Sequence, residues 1–221
     1  KAISYAPKNL RGKNVLDIGF GRGEILIHLA KKGANAYGAD YSQASVAIAK
    51  DAAKKAGVKV KFERKEVTEL DYPENFFDAV FMLDVVEHLT DAQLEKCFAS
   101  VRKSLTKNGV FVIHTMPNKF LAIPFYAVSK ITHTKRGVNE EVHINEQTPS
   151  SLKSRLKGYD VEIQMAHEKN YFKNTQFYAA HRRLIKPFVD IFLAHDFSKL
   201  PVLKYFLASE IWACARAHPK K

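Results

Sequence analysis

VLDIGFGRGE, Val15 to Glu24, is the stretch on which the reading of the whole chain turns. β-prone residues on either side of Asp17 lead into a Gly-x-Gly-x-Gly turn, Gly19, Gly21 and Gly23, and a helical pattern starts at Glu24. That is the order of a strand, a tight loop and a helix N-terminus holding a nucleotide-like ligand. Glycine is needed at Gly19 and Gly21 because the backbone turns sharply and a ligand must approach with no Cβ in the way. A dinucleotide fingerprint puts its third glycine three positions after the second. Here that position is Glu24 and the third glycine comes one step early, at Gly23, which argues against NAD or FAD. Asp17, two residues before Gly19, offers a charge that either offsets a positive ligand centre or orders the loop through backbone N–H groups. A sulfonium cofactor suits this better than a pyrophosphate.

Outward from that stretch the chain alternates. Asn14–Ile18 reads as the first strand, Glu24–Lys32 as a helix closed by Gly33, and Asn35–Asp40 as the second strand. Ser42 caps a helix to about Ala56, ended by Gly57, and Val58–Arg64 is the third strand. Asp78–Leu83, almost wholly apolar, is a fourth strand buried on both faces. Thr90 and Gln93 form a capping box for a helix to about Leu105, which Asn108–Gly109 ends before a fifth strand, Val110–Met116. Such βαβ repeats imply a parallel sheet.

Lys119 to Val138 is read as a short helix and loop over the strand ends, broken by Pro117 and Pro124. Thr148–Pro149 starts a helix stopped at Gly158, Tyr159–Ala166 is the sixth strand and Glu210–Ala217 the seventh. Between the last two lie about forty residues where a hairpin needs only a few, so this insertion must carry helices of its own.

With these motifs in place, the chain resembles the class I, seven-stranded S-adenosylmethionine-dependent methyltransferases, over Val15 to Gly158 (158 − 15 + 1 = 144 residues). It is most similar to the methyltransferase domains of ubiquinone and menaquinone biosynthesis and of many small-molecule and lipid methyltransferases. The resemblance implies a Rossmann-like α/β fold: a mostly parallel sheet of order 3-2-1-4-5-7-6 with an antiparallel last strand, and a helical insertion between strands 6 and 7. It implies one domain over 1–221, with a core of about 13–167 and 210–217 and cap segments of about 118–147 and 168–209. It also implies S-adenosyl-L-methionine as cofactor, converted to S-adenosyl-L-homocysteine.

For the cofactor, the resemblance places Asp17, Gly19, Phe20, Gly21 and Gly23 along the loop. Asp40 meets the ribose hydroxyls, Tyr41 lies beside the adenine, and Glu66 stands where the family usually has Asp facing the adenine amino group. Val67 offers its backbone N–H to the ring, and Leu83 leads the chain out under the methionine part. In LDVVEHL, His88 orients the loop or touches the substrate, and Asp84 is similarly ambiguous. In EVHINEQTP, His143 falls near the substrate entry, and a histidine suits deprotonation of a hydroxyl acceptor because its pKa lies near neutrality. His143 and His88 are therefore the catalytic candidates, and His114, within a strand, is expected to be core or loop-ordering.

The chain is 221 residues with a formal net charge of +12. The excess is uneven: residues 1–117 carry 18 Lys and Arg against 14 Asp and Glu (+4), and residues 118–221 carry 17 against 9 (+8). An acidic substrate, an anionic membrane surface, nucleic acid or a solvated basic face all fit that excess. Cys97 and Cys214 have no metal-ligand spacing and are expected as buried thiols in a reducing compartment, with no metal needed. No apolar run approaches the ~18 residues of a membrane span, and the start at Lys1 shows no secretory leader. The missing initiator Met suggests that an N-terminal segment able to cover the site has been cut away.

In Gln176 to His195, Phe177, Leu184, Phe188 and Ile191 fall at helical intervals beside Arg182, Arg183 and Lys186. This predicts an amphipathic helix that packs on the domain, covers a hydrophobic substrate or lies on a membrane surface. The expected activity is methyl transfer to a small-molecule or lipid-like acceptor, on oxygen first, in a cytoplasmic protein with peripheral membrane contact through 176–195 as its alternative location. Nucleic acid is disfavoured, because there is no RRM, KH or zinc-knuckle signature and no Asn/Asp-Pro-Pro-aromatic run. An RNA methyltransferase or a catalytically silent cofactor-binding protein are the rival readings.

Overall fold

The computed structural model of the chain describes residues 1–133, 142–168, 182–183, 186–187, 189–192 and 194–217. Seven strands form one sheet, β1 (Asn14–Ile18), β2 (Asn35–Asp40), β3 (Val60–Arg64), β4 (Phe77–Leu83), β5 (Leu105–Thr115), β6 (Tyr159–Ala166) and β7 (Glu210–Ala217), in the order 3-2-1-4-5-7-6. The first five run parallel, and β7 pairs antiparallel with both β5 and β6. The fold is the one expected.

Helices flank the sheet, among them α1 (Glu24–Lys31), α2 (Gln43–Lys55), α3 (Asp91–Ser104), α4 (Lys119–Thr132) and α5 (Pro149–Arg155). Their starts follow local chemistry. The Ser42 side chain accepts the Ser45 N–H, Thr90 and Gln93 close a capping box, and Thr148 does the same with Ser151 ahead of Pro149 at the first helical position. β4 is apolar from Ala79 to Leu83 because it is covered on both sides. Val80 and Met82 face one core layer with Leu94, Phe98 and Phe111, while Ala79 and Phe81 face the other with Val15, Leu26 and Leu29. Each such Leu or Phe, fully buried, contributes about 1.5–3 kcal/mol.

Three boundaries differ from expectation. Asn108–Gly109 is not a helix stop, because α3 ends at Ser104 and β5 begins at once at Leu105. The turn-prone pair instead sits in a bulge, where β5 takes five steps from Leu105 to Val110 while β4 takes two from Phe77 to Ala79. β3 begins at Val60, two residues late, because Gly57 and Val58 are spent closing α2 back onto Lys54 and Ala53. α4 runs through position 124, which the sequence reading had as a break. A proline lacks one N–H, and near a helix start that loss removes a single hydrogen bond.

In the insertion, the described residues from 182 to 194 are helical. Phe177, Leu184 and Phe188 lie outside the described residues. The expected apolar face is out of phase: Val189 and Phe192 are buried, and Ile191 is 55% exposed. The reason is the partner, since Phe192 packs on His167 and Phe197 at ring distances of 4.1 and 5.4 Å. Ahead of β1 a 3-10 turn, Ala2–Tyr5, stacks Tyr5 on Trp212 of β7 and donates the Tyr5 hydroxyl to Gln164.

Candidate functional site

β1 and β4 lie side by side, but the chain leaves β1 for one half of the sheet and β4 for the other, so a crevice opens beyond their C-terminal ends. Gly19 leaves β1 at φ 72, followed by Gly21 at 52 and Gly23 at 75. A Cβ on Gly19 would stand 2.4 Å from Val85 Cγ2, so the two loops at the switch point touch where only glycine fits.

Asp40, at the end of β2, holds the glycine loop. Its Oδ2 accepts the Gly21 N–H at 3.0 Å and its Oδ1 accepts the Ser42 N–H at 2.9 Å. A carboxylate has about four acceptor positions, so two remain for a ligand hydroxyl pair. The loop-ordering role offered to Asp17 therefore belongs to Asp40. Asp17 is 4% exposed, and burial, with the Asp40 charge behind it, pushes its carboxyl up to about 8. A buried acid in that state favours a cationic ligand centre and disfavours a pyrophosphate.

The remaining expected cofactor residues fall into three groups. Tyr41 is 69% exposed, with its carbonyl accepting from Arg64 Nε at 3.1 Å, so its ring is open to a partner. Glu66 is exposed ahead of a 3-10 turn, Val67–Glu69, and Val67 and Leu83 are partly buried against the two core layers. Phe20 needs correction as a side chain: it is 6% exposed and packs on Phe62 at 4.8 Å, leaving only its main chain to the loop. Gly38 in β2 makes room for that packing, since a Cβ there would lie 2.6 Å from Phe20.

After β4 the chain turns at Asp84, at φ 55, in the left-handed region. Asp84 Oδ1 accepts from His114 Nδ1 at 2.8 Å, and His114 Nε2 stands 3.4 Å from Glu210 Oε2 without hydrogen-bond geometry. Burial by itself lowers the His114 pKa, but the two carboxylates outweigh it and raise it to about 9. His114 is loop-ordering, as a buried cation under Asp84.

The next residues bring the catalytic candidates together. His88 Nδ1 meets the Val142 carbonyl at 3.0 Å, and the His88 and His143 rings meet edge to face at 4.8 Å. Asn145 clamps the pair: its N–H donates to the Glu87 carbonyl at 3.0 Å and its side chain donates to the Leu89 carbonyl and Asp91 Oδ1. Burial, then His88, lowers the His143 pKa, so it is a neutral imidazole at pH 7. Glu146 beside it, bonded by the Tyr126 hydroxyl, is pushed up to about 7 by burial. Sequence reasoning missed Asn145, Glu87 and Glu146, although Asn145 and Glu146 stand within three residues of His143 in EVHINE.

Comparison with known proteins agrees with this geometry. Residues 15–109 match a family described as a methyltransferase domain. A ubiquinone biosynthesis O-methyltransferase of Rhizobium etli (strain CIAT 652) is 30% identical over 160 residues, 72% of this chain and 63% of that protein. This chain thus spans about three fifths of the length of such relatives. Among solved structures, magnesium protoporphyrin IX methyltransferase from Synechocystis with bound SAH superposes with a TM-score of 0.61 at 18% identity, covering 95% of this chain and 76% of that one. Phosphoethanolamine N-methyltransferase 2 of Haemonchus contortus gives 0.62 at 20% identity, over 99% of this chain and 51% of that one. At such identities the likeness is one of fold.

Proposed function

We propose that the chain, whose residues 15–109 match a methyltransferase domain, acts as a class I S-adenosyl-L-methionine-dependent methyltransferase and transfers a methyl group to an oxygen of a small-molecule acceptor. The observation that carries this reading is Asp17, an acid 4% exposed two residues before the Gly19 turn, whose carboxyl is held well above the usual carboxylate range by burial and by the Asp40 charge. A cationic cofactor centre would draw the proton off that carboxyl and pair with the carboxylate, whereas a pyrophosphate offers it no counter-charge. The sulfonium cofactor supplies an already activated methyl. The loop of Gly19, Gly21 and Gly23 cradles it, Asp40 receives the ribose hydroxyls, Tyr41, Glu66 and Val67 flank the adenine, and Leu83 closes the methionine end. His143 and His88 stand at the acceptor's entry and assist loss of the hydroxyl proton, and the protein's remaining work is alignment and exclusion of water. Oxygen is favoured because the similar relatives are named O-methyltransferases. The chain works as one domain, with cap segments at 118–147 and 168–209. Calorimetry tests the cofactor: S-adenosylhomocysteine should bind in the micromolar range and NAD should not, and the reverse preference would sink the reading.

A second feature favours an amphiphilic acceptor taken from a membrane surface by a cytoplasmic protein. The rings of Phe120 on α4 and Phe206 meet at 5.1 Å, tilted by 40°, and Ile123, Val202 and Leu203 are 49%, 66% and 52% exposed. Lys119 and Lys199 are exposed on the same elements and would meet anionic headgroups at ~1 kcal/mol each. This patch on α4 and 197–207 stands beside the expected contact through 176–195, half of which lies outside the described residues. No helix among the described residues is long and apolar enough to cross a membrane. Cosedimentation with anionic but not neutral vesicles is expected at low salt, with loss on Leu203→Glu. Equal recovery with both vesicle types, or none, removes the membrane from the account.

A further inference from the structure

His114, inside β5, is a histidine 6% exposed with a carboxylate on each side of its ring. Nδ1 stands 2.8 Å from Asp84 Oδ1, on the turn after β4, and Nε2 stands 3.4 Å from Oε2 of Glu210, the first residue of β7. We propose that Glu210 and His114 are positioning residues for the cofactor, which act through Asp84 to hold Val85 against the Gly19 turn. This rests on the methyltransferase reading, since the loop they brace is the one assigned to S-adenosyl-L-methionine.

The contacts run without a break from β7 to the glycine loop. Register pairs Leu83 of β4 with His114, and His114 with Trp212 of β7. Asp84, one residue past Leu83, sits at φ 55, a conformation that a residue with a side chain keeps where its surroundings over-determine it. His114 supplies two restraints there: its carbonyl accepts the Asp84 N–H at 3.1 Å, and its Nδ1 donates to the Asp84 carboxylate. One residue thus clasps both the main chain and the side chain of the turn. Val85 comes next, and its Cγ2 occupies the space that a Cβ on Gly19 would need. If Asp84 swings away from His114, Val85 moves with it and Gly19 loses its backing.

β7 fixes the ring from the other side. Trp212 lies on His114 at 4.3 Å between ring centres, and its Nε1 donates to the same Glu210 Oε2 at 2.9 Å, so the carboxylate is oriented independently of the imidazole. Asp84 and Glu210 are the charged groups that act on the ring, and Lys1, ahead of β1, lies beyond Glu210 and helps to keep it ionised. Burial opposes a charged imidazole here, and the two carboxylates outweigh it. A cation between two anions presents a proton to each of them. A neutral ring that still donates to Asp84 turns a lone pair toward Glu210, which repels it and loosens the clasp from behind. A buried ion pair adds little net stability over an apolar replacement; here it selects one geometry for the turn.

The test is calorimetry of S-adenosylhomocysteine binding to the whole chain between about pH 6 and 10, each variant being read as a ratio to wild type so that the ligand's own titration cancels. His114→Leu should weaken binding ~10-fold or more at pH 7, and His114→Asn, which keeps a donor for Asp84 but no charge, should recover part of the loss. The bracing cation is present at low pH and is lost as pH rises through its folded-state value, so wild-type affinity should fall around pH 9. Glu210→Gln removes one of the carboxylates that sustain the cation; it should weaken binding ~3-fold at pH 7 and move the alkaline fall to lower pH. A merely structural role would weaken binding without moving that midpoint. Thermal melts show which variants are folded, and Glu210→Gln carries the test if His114→Leu unfolds. No binding by wild type overturns the cofactor reading and this inference together. Wild-type binding with an alkaline midpoint that stays in place in Glu210→Gln, or with full affinity in folded His114→Leu, overturns this inference alone.

Discussion

Asp40→Ala should weaken S-adenosylhomocysteine binding by ~100-fold or more. Two charge-assisted bonds to ribose hydroxyls, at ~1.5 kcal/mol or more each, sum to about 3 kcal/mol, and each 1.4 kcal/mol is a factor of ten. The structure adds a reason for the loss to be larger. Both oxygens of Asp40 already accept backbone N–H groups, one from Gly21 and one from Ser42, so the truncation loosens the glycine loop and the start of α2 at the same time. Asp40→Asn keeps one acceptor and turns the other into a donor facing an N–H. It should fall between wild type and Asp40→Ala. Calorimetry on both variants decides, and wild-type affinity in Asp40→Ala would take Asp40 out of the site.

His143→Ala should lower turnover by ~100-fold or more and leave cofactor affinity nearly untouched. The expectation rests on position: His143 meets His88 edge to face, is fixed by the neighbouring Asn145 clamp, and is neutral at pH 7 because burial and His88 disfavour its cation. Rates with an identified acceptor, alongside calorimetry with S-adenosylhomocysteine, separate an acceptor-side role from a general loss of structure. A wild-type rate in the folded variant would end the idea.

The parallel half of the sheet was legible because each of its signals is local. A strand pattern, three glycines and a capping serine or threonine announce β1, α2 and α3 without reference to anything distant. What stayed hidden depends on tertiary partners. Nothing within the strand preceding Asn108–Gly109 says that the pair will be absorbed in a bulge against β4. The phase of the helix through Val189 and Phe192 is set by His167 and Phe197, which pattern alone does not link to it. In the site, the types Asp17, Asp40 and His143 could be picked out, but not their division of labour. That Asp40 and not Asp17 tethers the loop depends on the register between β2 and β1, and Glu87 is held by Thr115, 28 positions later, and by Asn145 beyond it.

Gly38 lies within β2, behind the glycine turn, yet it governs how the cofactor loop can drift in sequence. Its missing Cβ is the space that Phe20, Leu26 and Phe62 occupy at 2.6, 2.8 and 3.0 Å. Phe20 is itself part of the glycine turn, so positions 20, 38 and 62 form one steric unit shared by two strands and a loop. Varied singly, each will look intolerant, because a larger residue at 38 drives Phe20 out and a smaller one at 20 opens a cavity. Varied together, leucine at 20 with alanine at 38 comes close to conserving volume, and the loop becomes open to redesign from behind.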